Sequence, residues 1–173
     1  MAILDILEVP HPVLSAKARE VREDEFGQDL ATCLENMAIT MYAAPGVGLA
    51  APQVGDSRRI LVADPGNNDD GHPRILYSMV NPIITEKSTD YIPYEESCLS
   101  IPEFYLTVKR HRQIVVQWND AFGNVRRETF EEFPAIVVQH EIDHLNGITL
   151  LDRASRFRRS RYLSKRKKQR RSK

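Results

Sequence analysis

Across residues 24–44 the apolar side chains Phe26, Leu30, Leu34, Met37, Met41 and Tyr42 recur every three to four positions, and Pro45-Gly46 closes the run. That period puts one apolar stripe along an α-helix, so a first helix is predicted there. Cys33 falls within the stripe and reads as a small buried hydrophobe rather than a ligand. The pattern then shortens into β-type runs at residues 60–63, 76–80, 105–108 and 114–118. The last of these meets residues 125–130 across Asn119-Asp120-Ala121-Phe122-Gly123-Asn124, a hairpin signature. Residues 64–73, rich in Gly, Asn, Asp and Pro, read as an exposed turn. A second helix is expected to begin near Glu131, where Glu131 and Glu132 suit the positive end of the helix dipole, and to stop at Gly147. From Ala154 onward helix-forming residues dominate, with Phe157 and Leu163 as apolar anchors.

Length changes this picture little: 173 residues with 42% hydrophobic content make one ordinary domain with a real core, and neither a repeat nor a linker divides it. Charge changes it more. The formal net charge of zero conceals twelve of the 24 basic residues at positions 153–173, where no acidic residue occurs. Residues 1–152 therefore carry twelve basic against 24 acidic side chains. An acidic body, residues 1–152, with a basic C-terminal extension, residues 153–173, is expected to turn that extension toward a polyanion such as RNA. Asp5 and Glu8 make the start unlike a signal or transit peptide, and no apolar stretch reaches the ~18 residues of a membrane span. With only Cys33 and Cys98, a disulfide framework is not expected and a reducing cytoplasm is.

The candidate chemistry sits in Gln139-His140-Glu141-Ile142-Asp143-His144. At 3.6 residues per turn His140 and His144 lie one above the other, so a single divalent metal reaches both rings while Glu141 stands beside it as a proton carrier. A third ligand is then required. The two familiar protease patterns take it from downstream, yet position 150 is Leu and no glutamate follows Glu141. The upstream candidates are Cys98, His72 and His111. Cys98 is the strongest, because a thiolate with two imidazoles leaves a fourth tetrahedral position for water. His72, beside Pro73, and His111, between Arg110 and Arg112, read as surface residues, and His11, between two prolines, has no visible partner in the sequence. Gly46-Val47-Gly48 lacks the third glycine of a dinucleotide loop and no GK[ST] occurs, so phosphate binding is not expected. Paired glycines suit instead a backbone that must lie close to something, such as an extended peptide.

Three segments in order, Gly46-Val47-Gly48-Leu49-Ala50-Ala51-Pro52-Gln53, Glu96-Ser97-Cys98-Leu99-Ser100 and Gln139-His140-Glu141-Ile142-Asp143-His144-Leu145-Asn146-Gly147, resemble the peptide deformylase family. The likeness extends more weakly over residues 2–152. It implies an α+β fold, with antiparallel β-sheets around a central helix carrying HExxH, followed here by a basic helix or tail. It also implies hydrolysis of the formyl group from the N-terminal methionine of newly made polypeptides. By that resemblance Cys98, His140 and His144 hold the metal and Glu141 is general base and acid. The Gln53 amide and the Leu99 N–H donate to the developing oxyanion. Val47, Gly48 and Ser97 flank an extended peptide, and Ile136 and Val137 receive the methionine side chain. The implied ion is iron(II), for which zinc, nickel or cobalt can substitute.

Two positions depart from the family pattern. Ser97 stands where glycine is usual before the metal-binding cysteine, and Tyr105 where close bacterial relatives often have arginine. The Ser97 departure sustains an alternative of another class: a ribosome-associated binding protein with a weak or inactive deformylase-like site. A metalloprotease is disfavoured by the missing downstream ligand.

Overall fold

The computed structural model describes residues 2–66 and 74–171. Seven strands and four α-helices follow one another as α1 (Gln28–Ala43), β1 (Gly48–Ala50), β2 (Ile60–Ala63), β3 (Tyr77–Lys87), β4 (Tyr91–Cys98), β5 (Ile101–His111), β6 (Gln113–Asn119), β7 (Val125–Glu131), α2 (Glu132–Leu145), α3 (Leu150–Arg153) and α4 (Arg156–Arg171). A five-stranded antiparallel sheet runs β1-β2-β3-β6-β7, and β4 and β5 form a separate hairpin. This is the α+β architecture expected, with the two sheets around α2.

The apolar run of β2 is uninterrupted because both of its faces are buried. Leu61 and Ala63 face α2 with Met79, Val116 and Phe130, against Val138, Ile142 and Leu145 of the helix. Ile60 and Val62 face the other way, onto Leu30, Leu34, Met37 and Met41 of α1. Each such aliphatic side chain, fully buried, contributes about 1.5–3 kcal/mol before ordering costs. A third cluster joins Phe104, Leu106 and Val108 of the hairpin to Leu14, Leu150, Leu151 and Tyr162.

Several expectations need correction. Helix α1 begins at Gln28, because Glu23–Glu25 form a separate 3-10 turn and Gly27, at φ 133°, breaks the backbone between them. Tyr42 is 41% exposed rather than part of the stripe, and Cys33 is half-buried beside Arg58. Residues 91–98 form a full strand, and β3 and β5 each run to eleven residues, well past the short runs that sequence suggests. Asp64 and Pro65 are buried, so the loop predicted to be exposed begins later, and residues 67–73 of it, including His72, lie outside the described residues.

The basic C-terminal stretch forms a helix docked on the hairpin. Its anchor is Tyr162, whose ring meets Phe104 at 5.2 Å and whose hydroxyl donates to the Pro102 carbonyl at 2.9 Å. Leu163 assists from the edge, whereas Phe157 is 72% exposed and anchors nothing. Arg158 donates to the Tyr105 carbonyl at 2.6 Å, and Arg166 pairs with Glu8.

Candidate metal centre and peptide groove

Helix α2 carries nine buried residues among its fourteen and is therefore an internal helix. Gln139 fixes its position like an extra rung of β5: its amide accepts from the His111 N–H at 3.1 Å and donates to the His111 carbonyl at 2.9 Å. One helical turn separates His140 from His144, and their rings lie 5.0 Å apart. At the end of β4 the Cys98 sulfur meets His144 Nε2 at 3.2 Å. Donor atoms of Cys98, His140 and His144 all lie within 4.8 Å of one another; Cys98 and His144 are buried, and the His140 side chain is 11% exposed. A soft thiolate and two imidazoles in that space can hold one divalent ion.

His140 is oriented from behind. Its Nδ1 lies 2.7 Å from Glu96 Oε1, which leaves Nε2 for a metal. Glu96 is held in turn by Arg110, through Nε at 2.8 Å and Nη2 at 2.9 Å, and Arg110 reaches Asp143 at 2.5 Å. Arg153 closes the chain on Asp143 at 2.7 and 2.8 Å. Burial alone would raise the Glu96 carboxyl, but Arg110 and His140 outweigh it and bring the value down to about 2. Burial also works against a charged His140, yet its contacts with Cys98 and Glu96 push it well above the ordinary imidazole range. His144 is pushed the other way, by burial first and then by the charges of His140 and Arg110.

Glu141 is buried, and among the described residues no hydrogen-bond partner meets its Oε2. Burial raises its carboxyl to about 7, into the range useful for proton exchange at neutral pH; a cation beside it would lower that value. Gln53 is 1% exposed, and both ends of its amide are fixed. Its Oε1 accepts from the Ala50 N–H at 2.9 Å, so Nε2 must face Ser100 Oγ at 3.2 Å and Cys98 Sγ at 3.6 Å. Leu99, half-buried in the turn after Cys98, lies on the same wall.

A cavity of about 500 Å³ opens over these groups. Val47 and Gly48 of one wall and Ser97 of the other line it, with Ile136 and Val137 one turn before His140 on its floor. Both walls are strand edges, since among the described residues β1 pairs only with β2, and β4 only with β5. Strand alternation turns Glu96 and Cys98 inward while Ser97 faces out, and the register of β4 against β5 shifts between Glu96 and Cys98. Ser97 does not have the positive φ that favours glycine, so the backbone there accepts a side chain without strain. Tyr105 is 58% exposed on the rim.

The other two described histidines, His11 and His111, are engaged elsewhere. His111 places Nδ1 2.8 Å from the Ser88 carbonyl, and His11 Nδ1 accepts from the Val13 N–H at 3.3 Å. The paired glycines lie close to the protein's own side chains, since a Cβ on Gly46 would sit 2.9 Å from Leu99 and one on Gly48 would overlap Glu141. Sequence reasoning missed Glu96, Arg110 and Asp143. The available signal was phase: Phe104, Leu106 and Val108 alternate inward along β5, and Arg110 follows on the same face. An arginine in a buried phase requires a carboxylate partner.

Known proteins resemble this chain over nearly its whole length. Residues 3–160 match the family model described as polypeptide deformylase. A peptide deformylase of Desulfotalea psychrophila is 44% identical over 168 residues, covering 97% of each chain. A crystal structure of peptide deformylase from Ehrlichia chaffeensis in complex with actinonin superimposes with TM-score 0.90 at 35% identity, covering 98% of each chain. A class I type b peptide deformylase from Acinetobacter baumannii with Met-Ala-Ser bound has TM-score 0.82 at 34% identity, covering 88% of this chain and 99% of that one. By sequence and by fold, the chain belongs to the polypeptide deformylase family.

Proposed function

We propose that this protein hydrolyses the formyl group from the N-terminal methionine of newly made polypeptides, releasing formate and a free amine. The observation that carries the reading is the joint placement of Cys98, His140 and His144, the Glu141 carboxylate and the Gln53 amide at the bottom of one groove between two strand edges. Cys98, His140 and His144 would hold a divalent ion, which when bound would supply a Lewis acid and lower the pKa of water in the site. Glu141 accepts the proton of the attacking water as its oxygen adds to the formyl carbon. Gln53 Nε2 and the Leu99 N–H donate to the resulting oxyanion, contacts each typically worth about 10²–10³ in rate. Glu141 then returns the proton to the leaving nitrogen, the C–N bond breaks, and formate departs.

The peptide is read mainly through its backbone, extended between Val47-Gly48 and Ser97, which tolerates many downstream sequences. Ile136 and Val137 receive the methionine side chain on the apolar floor. Iron(II) is the ion proposed, since supply and geometry rather than intrinsic affinity select it over zinc, nickel or cobalt. A reducing cytoplasm suits the unpaired thiols Cys33 and Cys98, and among the described residues no helix is long and apolar enough to cross a membrane. The complete donor set disfavours the reading of an inactive binding protein, and Ser97 faces outward without strain. The direct test is formate release from formyl-Met-Ala-Ser by iron(II)-loaded protein prepared without oxygen. Turnover is expected there and none on unformylated Met-Ala-Ser; peptide-bond cleavage of the latter would restore the protease reading.

We also propose residues 1–152 as the catalytic body and 153–173 as an extension that brings it to the ribosome. Arg159, Lys165 and Arg166 of α4 pair with Asp152, Glu103 and Glu8, while Arg161, Lys167 and Arg171 are exposed. Reversing those three to glutamate should weaken ribosome co-sedimentation and reduce its salt slope by roughly one per lost phosphate contact. Equal sedimentation of both proteins at low salt rules this contact out.

A further inference from the structure

Gly48 has no conformational reason to be glycine, because its backbone lies in an ordinary strand paired with Ala63. Its reason is space. Along β1 the side chains alternate: Leu49 packs toward α1, whereas Ala50 packs toward α2, so position 48 also faces α2. A Cβ there would lie 2.8 Å from both Cγ and Cδ of Glu141, and closer still to Oε1. Those atoms stand on a buried helix, and among the described residues no donor meets Oε2, so packing rather than a hydrogen bond holds that oxygen. By contrast, the atom facing Gly46 is the flexible tip of Leu99.

We propose that Gly48, beyond flanking the substrate, is a positioning residue for the proton-carrying carboxylate: its missing side chain is the slot that fixes Glu141 against the reacting atoms. The proposal rests on the deformylase reading for its kinetic consequence but not for its packing consequence. A methyl group at position 48 must displace the carboxylate by about 1 Å to regain van der Waals contact, and misplacements of that size typically cost about 10²-fold in rate. The loss belongs in kcat, because the carboxylate acts on the attacking water rather than on peptide binding.

The test is a cycle of Gly48→Ala, Glu141→Ala and their combination in the metal-loaded full chain, followed by kcat and KM on formyl-Met-Ala-Ser, metal content and Tm. Gly48→Ala should lower kcat about a hundredfold, leave KM within about threefold and retain the parent's metal. It should lower Tm in the parent but have little effect once Glu141 is alanine, where the methyl group finds room. Equal Tm losses in both backgrounds, or a raised KM with unchanged kcat, overturns the proposal. No formate from the parent at all would overturn the functional reading instead, and the Tm cycle would still decide the packing.

Discussion

Glu141→Gln is expected to lower kcat for formyl-Met-Ala-Ser by about 10²–10⁴-fold while the protein binds its metal as before. Glutamine keeps the shape of the side chain, so the wedge against Gly48 and the buried helix face are preserved, and only proton acceptance is lost. The same substitution separates Glu141 from its neighbours His140 and His144, whose loss removes metal and activity together. Burial raises the Glu141 carboxyl while His140, and a bound cation beside it, pull the other way, so its environment sets opposing influences on a group that must take a proton and return it. KM should change little, since Glu141 contributes to the transition state and not to the extended peptide. Metal content and formate release are measured on the same preparation. A variant with full metal and a rate within tenfold of the parent would falsify the proton-carrier role and leave the metal-site geometry standing.

What the chain discloses before folding depends on whether a segment's character is set locally. Helix α2 is legible because HExxH has chemical meaning only at helical spacing, and β2 because an apolar run of four between polar segments has few other uses. Strand β4 is not, since Pro93, Glu95 and Ser97 are tolerated on an exposed edge beside the groove and mask the alternation that turns Glu96 and Cys98 inward. The three residues of β1 become a strand only by pairing with β2, a tertiary fact with no local signal. The anchor of α4 illustrates a different limit. Phe157 and Leu163 are six residues apart and so about 120° apart around a helix, which prevents both from facing one surface. Tyr162 wins because its hydroxyl also satisfies the Pro102 carbonyl. The metal ligands could be located through the residue pattern and resemblance, whereas the Glu96–Arg110–Asp143 support requires two strands and a helix in register.

That support is where the largest stability effect is expected. Arg110→Met should cost about 3–5 kcal/mol, because Arg110 is 3% exposed and its removal leaves Glu96 buried without its cation. At roughly 2–4 °C per kcal/mol for a chain of this size, Tm falls by about 6–20 °C. Metal affinity should fall by roughly 10–100-fold as well, since Glu96 sets the ring of His140. The sign of the pH dependence follows from Glu96, whose folded value of about 2 lies below its ordinary 4.5. Its contribution is present above 4.5 and lost as pH falls toward 2, so the gap between parent and variant is widest near neutrality and narrows in acid. Arg153→Ala provides the contrast: its side chain is 36% exposed, and its loss should cost no more than about 1 kcal/mol. Pairing Arg110→Met with Glu96→Leu removes both buried charges together. That double variant should recover much of the lost Tm, because an apolar pair of similar volume is often no less stable than a buried ion pair. It should not recover metal affinity, because nothing then accepts from His140 Nδ1. Recovery of both would make Glu96 a packing residue; recovery of stability alone identifies the buried pair as a device for aiming a ligand, retained at a cost to the core around it.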